Sequence, residues 1–96
     1  MIDLTTALSQ TEARRLAIAG VSAGGRARYT NHFRVEIAKD DIKITDIPNI
    51  IHGTYSPGEF ENGAWRYRAE TQRMCVVVEF EEDGTVVFVT AWRKKR

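Results

Sequence analysis

The apolar residues near the amino terminus repeat with the period of an α-helix. Ser9 and Glu12 have the spacing of a capping box, in which each side chain bonds the backbone amide of the other. An apolar stripe follows, and Gly20 has the conformational freedom that ends many helices. The pattern predicts a helix over about residues 10–19, within a helical N-terminus over about 1–20.

The middle of the chain carries a weaker pattern. Residues 21–27 have turn chemistry and predict a flexible loop. Over residues 31–39, Phe33, Val35 and Ile37 alternate with polar residues as in a strand. Because Phe33 and Ile37 are also four residues apart, they would share one face of a helix, and both interpretations stay open.

A short helix is predicted between Thr45 and Gly53. Thr45 is a suitable N-cap, Asp46 complements the positive end of the helix dipole, and Pro48 is tolerated in a first turn. At the other end His52 would meet the negative end of the dipole, so we interpret it as a cap. The apolar stripe of this helix consists of Ile47, Ile50 and Ile51.

The last third of the chain has strand patterns. After a turn-rich stretch over 55–63, strands are predicted over 65–73, 74–81 and 85–93, the last two joined by an Asp-Gly turn. Helices followed by an antiparallel meander predict an α+β fold, with the N-terminal helices packed on one face of a twisted antiparallel sheet. The other face is the candidate working surface.

Length and composition place the chain among folded globular proteins. Its 96 residues, predicted as one domain over 1–96, are 43% hydrophobic and 28% charged, which is the balance of a packed protein and not of a disordered one. Fourteen Lys and Arg against 13 Asp and Glu give a net charge of +1. A basic surface must therefore come from the distribution of charge and not from its total.

Cysteine content and hydropathy bear on the cellular compartment. Cys75 is the single cysteine and has no intramolecular disulfide partner, which fits a reducing compartment. No stretch approaches the roughly 18 apolar residues of a membrane span, and the N-terminus lacks the basic start and apolar centre of a secretory signal. We therefore predict a cytoplasmic location with no membrane partner.

Arginines are concentrated in the predicted strands. Arg66 and Arg68 share one strand face, Arg73 lies close by, and Arg93 ends the last strand. A guanidinium stays charged, presents a fork of donors to phosphate oxygens and stabilises the charge that develops on a phosphorane, so nucleic acid is the natural partner. The alternative is cross-strand pairing of these arginines with acidic residues, namely Glu70 and Glu79.

Aromatic and basic residues alternate over residues 65–68. Trp65 and Tyr67 would stack bases while the arginines contact phosphate, as in sites for single-stranded nucleic acid. The alternative is that both aromatic rings face the helices and belong to the core. The basic tail over 93–96 would speed association with RNA in a salt-dependent way, or is a solubilising terminus.

Two further side chains are candidates for chemistry. His32 has Arg34 close by, and imidazole as a side-chain type suits acid-base chemistry, so an acid or base role stands beside a structural one. Strand alternation places Thr90 on the face of Phe88 and Trp92, as a buried hydroxyl or a ligand contact. The sequence has no phosphate-binding glycine loop, His-rich metal pattern or nucleophile elbow, so those enzyme classes are not expected.

The spacing of these residues resembles that of small bacterial endoribonuclease toxins with a RelE-like fold. The residues similar to RelE/BrnT-type domains are His32, Ile42, DIPNIIHG from Asp46, CVVVEF from Cys75 and VVFVTAWR from Val86, which ends in Arg93. The segments similar to MqsR-type toxins are LSQTEARRLAIAG from Leu8, IPNIIHG from Ile47 and WRYR from Trp65. Together the two sets cover nearly the whole chain.

The resemblance implies a type II toxin–antitoxin module whose toxin cleaves mRNA, with or without the ribosome. The implied fold is a RelE-like or barnase-like sheet with helices on one side. The implied reaction needs no metal or cofactor: a ribose 2′-oxygen attacks the adjacent phosphorus while a base takes its proton and cationic groups stabilise the phosphorane. The implied partners are RNA and a cognate antitoxin protein.

The resemblance also implies roles for individual residues. It carries catalytic roles to His32, Tyr67, Arg68 and Thr90, with His32 or Tyr67 as acid or base. Together with the distribution of basic residues, it gives as predicted RNA or phosphate contacts Arg34, Arg66, Arg73, Arg93 and Lys94. The family often has Arg four and eight residues after its His, where this chain has Glu36 and Asp40. The alternative is therefore a non-catalytic RNA-binding or protein-interaction module of the same fold.

Overall fold

The computed structural model describes residues 1–94, and over them the chain is an α+β protein, as predicted. Its elements are α1 Gln10–Val21, β1 Ala27–Tyr29, α2 Asn31–Lys39, the 3₁₀ turn Ile44–Asp46, α3 Ile47–Ile51, β2 Thr54–Tyr55, β3 Glu59–Glu61, β4 Ala64–Glu70, β5 Met74–Phe80 and β6 Val86–Arg93. Half of the predicted basic tail, Lys95 and Arg96, lies outside the described residues.

The first helix begins at the predicted cap. The Ser9 hydroxyl accepts a hydrogen bond from the Glu12 amide at 3.1 Å, and α1 continues to Val21, two residues past the predicted end. Residues 1–9 are not helical, so the predicted helical N-terminus over about 1–20 is wrong for its first half. Instead Leu4 and Leu8 pack against the core.

The ambiguous segment over 31–39 is a helix. The Thr30 hydroxyl accepts a hydrogen bond from the Phe33 amide at 3.1 Å and so caps α2 at its start. Phe33 and Ile37 are buried, whereas Val35 is 56% exposed. The shared helical face of Phe33 and Ile37, and not the alternation of all three, was therefore the informative signal.

The third helix is present but begins differently from the prediction. The Asp46 carboxylate accepts a hydrogen bond from the Lys43 amide at 3.0 Å, and a 3₁₀ turn leads into α3. Thr45 lies inside that turn, so its prediction as N-cap is wrong. His52 is the C-cap, as predicted, and its ring Nδ1 lies 2.7 Å from the Pro48 carbonyl oxygen.

The sheet has the order β1-β6-β5-β4-β2, with β3 pairing on β4. The antiparallel meander β4-β5-β6 matches the prediction, and Gly84 takes φ +92° in the predicted Asp-Gly turn. The two short strands β2 and β3 lie in the stretch predicted only as turns. The first strand, β1, pairs parallel with β6 in a segment for which no strand was predicted, so the sheet is mixed.

A β-bulge divides β6 into two halves that face opposite ways. Val78 pairs with Phe88 and Val77 pairs with Thr90, which leaves Val89 as an extra residue. Before the bulge Phe88 points into the core, and after it Thr90 lies on the opposite face. The prediction that Phe88 and Thr90 share a face of the strand is wrong, because it assumed that side chains alternate without interruption along β6.

Thr30, which directly follows β1, forms two hydrogen bonds with the bulge in β6. Its hydroxyl donates a hydrogen bond to the Val89 carbonyl at 3.2 Å, and its amide donates to the Phe88 carbonyl at 3.2 Å. Both carbonyls belong to the irregular part of β6, where ladder pairing is interrupted. The residue that caps α2 thus also satisfies the backbone of the bulge.

The core lies between the helices and one sheet face. The ring centroid of Phe88 is 4.9 Å from that of Tyr29 and 5.3 Å from that of Phe33, which joins β6, β1 and α2. On β4 the core side is occupied by Tyr67 and Ala69, with Trp65 packed beside them. The second interpretation of residues 65–68, in which the aromatic rings belong to the core, is therefore confirmed for Tyr67, whereas Trp65 is partly buried and packs against the core.

Candidate functional site

The face of the sheet away from the helices holds a cleft of about 320 Å³. We call it the open-face cleft, and the residues that line it are Ser56, Glu59, Glu61, Arg66, Tyr67, Arg68, Val77, Thr90 and Trp92. The face opposite the helices was the predicted working surface, and four of the predicted site residues line this cleft: Arg66, Tyr67, Arg68 and Thr90.

Strand register assembles the floor of the cleft. Arg68, Val77 and Thr90 lie directly opposite one another on β4, β5 and β6. Trp92 follows Thr90 by two residues and so shares its face. Because the bulge turns the second half of β6 over, it is the bulge that brings Thr90 and Trp92 to the face of the arginines.

Ion pairs connect the arginines of the cleft to carboxylates. The Arg68 guanidinium lies 3.3 Å from the Glu59 carboxylate, and Arg66 lies 3.2 Å from Glu79 and 3.9 Å from Glu61. Arg66 and Glu79 are opposite each other on β4 and β5, so the predicted alternative of cross-strand pairing holds for this pair. Two arginines and two glutamates line the cleft, and their formal charges balance.

Arg66 and Arg68 differ in how accessible their guanidinium groups are to a ligand. The Arg66 side chain is 22% exposed and held between two carboxylates, whereas the Arg68 side chain is 48% exposed and has Glu59 as its acidic partner. Exposed ion pairs contribute at most about 1 kcal/mol, so a phosphate can displace a carboxylate from Arg68 at small cost. Arg68 is therefore the better anion-binding group.

Tyr67 borders the cleft, but its hydroxyl group belongs to the core. The residue is 2% exposed, and its hydroxyl accepts a hydrogen bond from the Leu8 amide at 2.7 Å. Burial raises the pKa of the Tyr67 phenol above its usual value, an effect that the Leu8 hydrogen bond opposes. The predicted acid-base role of Tyr67 thus lacks a hydroxyl inside the cleft.

His32 lies on α2, which covers the other face of the sheet. Its side chain is 63% exposed, and its Nε2 lies 4.0 Å from the Glu36 carboxylate one helical turn away. It is not among the residues that line the cleft. The structure therefore does not bring His32 together with Arg68 and Thr90, and the role predicted for it has no counterpart in this geometry.

Arg93 is engaged at the end of α2. Its guanidinium donates to the carbonyl oxygens of Asp40 and Asp41, at 2.8 Å each, and its amide donates to the Asp40 carboxylate. These carbonyls belong to the terminal turn that a helix leaves unsatisfied. The donors predicted to hold phosphate thus stabilise the end of α2.

The other predicted phosphate contacts are dispersed. The Arg34 guanidinium sits 5.8 Å from the centroid of the Tyr29 ring, on the helix side. Arg73 is exposed in the turn between β4 and β5, and Lys94 forms an ion pair with Glu70 at 3.0 Å. None of the three lines the cleft.

Cys75 lies beneath the same face and is buried. Burial raises the pKa of its thiol to about 11, with the Glu70 carboxylate adding to the effect while Arg68 and Lys94 oppose it. A thiol held protonated at neutral pH is a poor nucleophile, so we assign Cys75 a packing role. Within residues 1–94, no three His, Cys, Asp or Glu side chains are grouped so as to hold a metal ion.

Several residues of the cleft were missed by sequence reasoning. Glu59 and Glu61 stand on β3, and their alternation around Phe60 was the available signal, although three residues are too few to predict a strand. Trp92 was assigned to the wrong face of the sheet, because the pattern of apolar and polar residues along β6 does not reveal the bulge. Val77 was missed because it stands in the segment CVVVEF, where consecutive apolar residues do not show which face of the strand is buried.

Comparison of the chain with protein-family models, with curated proteins and with solved structures gives no match. Among residues 1–94, none of the helices has the length and apolar character needed to cross a membrane.

Proposed function

We propose that the chain is a metal-independent endoribonuclease toxin of a type II toxin–antitoxin module, with a RelE-like fold and a cytoplasmic location, and that it cleaves RNA in the open-face cleft. One observation carries the proposal: the guanidinium of Arg68 and the carboxylate of Glu59 lie 3.3 Å apart in a cleft that also presents the Thr90 side chain. A base for the ribose 2′-hydroxyl and a cation for the phosphorane are the groups that cleavage by internal attack requires of the protein.

The proposed reaction forms one bond to phosphorus and breaks another. Glu59 accepts the proton of the ribose 2′-hydroxyl, whose oxygen attacks the adjacent phosphorus. Arg68, assisted by Arg66, bonds the phosphate oxygens and stabilises the charge that builds up on the phosphorane. The bond from phosphorus to the 5′-oxygen breaks, and water protonates that oxygen. Glu59 gives its proton to the resulting hydroxide, and the products carry a 2′,3′-cyclic phosphate and a 5′-hydroxyl.

Glu59 takes the place that the resemblance gave to His32 or Tyr67. It stands on the wall of the cleft with its carboxylate more than half exposed, so a ribose can reach it. Substrate phosphate competes with Glu59 for Arg68, and that competition frees the carboxylate to accept a proton. The ion pair thus holds the base and the anion-binding group next to each other before substrate arrives.

The experiment is cleavage of a labelled single-stranded RNA by the purified chain in the presence of a metal chelator. We expect new ends that carry 2′,3′-cyclic phosphate and 5′-hydroxyl groups, because internal attack by the 2′-oxygen produces both. A matched RNA with 2′-O-methyl groups stays intact, since it lacks the nucleophile. Cleavage of the methylated RNA, or products with 5′-phosphate ends, would contradict the proposed reaction.

A second function is a non-catalytic RNA-binding or protein-interaction module, and the charge balance of the cleft favours its protein-interaction form. Arg66, Arg68 and Lys94 all have carboxylate partners, which lowers the attraction of this face for a polyanion. Under this alternative, RNA or an antitoxin-like protein binds and the RNA stays intact. The cleavage experiment above, run with a binding measurement on the same samples, separates the two functions.

A further inference from the structure

We infer that Trp92 is a stacking platform for an unpaired base, so that the ligand class of the open-face cleft is single-stranded RNA. The inference deepens the proposed function and rests on it for the identity of the ligand. Its basis is the position of a half-buried indole beside a guanidinium and a hydroxyl on one side of the sheet.

The register fixes where the indole lies relative to the anion-binding group. Arg68, Val77 and Thr90 form one row across three strands, and Trp92 stands in the next row, opposite Cys75. Rows on one face are about 7 Å apart along a strand, and neighbouring strands are about 4.8 Å apart. A phosphate on Arg68 thus leaves its attached nucleoside within reach of Trp92.

The surroundings of Trp92 favour an apolar, flat ligand. Val77 lies beside it in the cleft floor, and buried Cys75 is its cross-strand partner. Trp65 offers a contrast, because its ring packs edge-on against Phe60 at 5.3 Å and against the core. Of the two tryptophans, Trp92 is the one in the open-face cleft.

The charge balance of the cleft makes a stacking contact necessary for affinity. With two glutamates beside two arginines, attraction to phosphate alone is weak. Stacking on an aromatic ring adds affinity without charge and accepts any base, because every base has a π-face. A base inside a duplex is already stacked and paired, so the cleft selects single strands.

The test uses Trp65→Phe, which leaves Trp92 as the sole fluorophore of its kind, and a 2′-O-methyl RNA hexamer that cannot undergo internal attack. We expect the single-stranded hexamer to quench Trp92 fluorescence, and the blunt duplex of the same sequence to leave it unchanged. In a separate titration followed by a label on the RNA, Trp92→Leu in the wild-type background should bind at least about 5-fold more weakly. Trp92→Phe should retain most of the affinity, since it keeps an aromatic face.

Equal quenching by single strand and duplex, or unchanged affinity in Trp92→Leu, would overturn the inference. Circular dichroism of Trp92→Leu and Trp92→Phe checks that both variants are folded, and the comparison of quenching by single strand and duplex in Trp65→Phe supplies the answer if Trp92→Leu is not. Stacking without cleavage of unmodified RNA would support Trp92 and overturn the nuclease. Cleavage with unaltered binding in Trp92→Leu would support the nuclease and overturn the stacking platform.

Discussion

Replacing Arg68 with Gln lowers the rate of RNA cleavage by about 100-fold or more, because the variant loses the charged donors aimed at the phosphorane. Arg68→Gln keeps a long polar side chain in the cleft, and the exposed ion pair with Glu59 contributes little to stability. The measurement is the initial rate of cleavage of a labelled RNA under chelating conditions, with thermal unfolding as a check that the variant is folded. Glu59→Gln should show a loss of similar size, since it removes the base.

The chain offers a matched control for this pair. Arg28 and Glu81 form an exposed Arg–Glu pair at 3.1 Å, on β1 and just past the end of β5, outside the cleft. Arg28→Gln therefore makes the same chemical change and should leave the cleavage rate unaltered. An equal loss of rate in Arg28→Gln and Arg68→Gln would show that the effect comes from the change in the protein's net charge and not from the position of Arg68 in the cleft.

Replacing Phe88 with Ala lowers the free energy of unfolding by about 3–5 kcal/mol. The ring is fully buried between those of Tyr29 and Phe33, and its loss leaves a cavity where β6, β1 and α2 meet. A chain of this size has about 5–15 kcal/mol in total, so this loss is a large fraction of its stability. The measurement is equilibrium unfolding in urea, compared with the wild type at the same temperature.

Phe60→Ala is the control for this change, since Phe60 is 60% exposed on β3. Its loss removes an edge contact with Trp65 and little buried area, so the free energy of unfolding should fall by no more than about 1 kcal/mol. Equal destabilisation by the two substitutions would contradict the placement of the core between the helices and the sheet.

Parts of the fold with strong local signals could be predicted from the sequence. The cap at Ser9 and the turn at Gly84 were correct because each depends on a few neighbouring residues. The ambiguous segment over 31–39 became a helix through its Thr30 cap and the burial of Phe33 and Ile37. Burial depends on the rest of the fold, so periodicity alone left that segment open.

Features that depend on distant parts of the chain could not be predicted. β1 is held in the sheet by its parallel pairing with β6. β1 and β3 have three residues each, which are too few for alternation to predict a strand. The bulge at Val89 is set by cross-strand pairing and by Thr30, which lies about sixty residues earlier. One extra residue in β6 changed the face of Thr90 and Trp92, and with it the composition of the candidate site.

The candidate site could be predicted only in part, because some of its residues are brought together by pairing between distant segments. Arg66 and Arg68 were assigned to a common face correctly, because alternation holds along all of β4. His32 was grouped with them by resemblance, but it lies on a helix that covers the opposite face. The acidic partner Glu59 was missed, since the pairing of β3 with β4 is not encoded in local composition.

The proposed function requires that RNA binds in the open-face cleft and not on the helix side. The most direct test is a nuclear magnetic resonance titration of the ¹⁵N-labelled chain with the 2′-O-methyl RNA hexamer. We predict that shifts concentrate on the amides of Arg68, Val77 and Thr90 and on the indole of Trp92, while the amides of α2 around His32 stay unchanged. Shifts centred on α2, or no shifts at saturating RNA, would contradict binding in the open-face cleft.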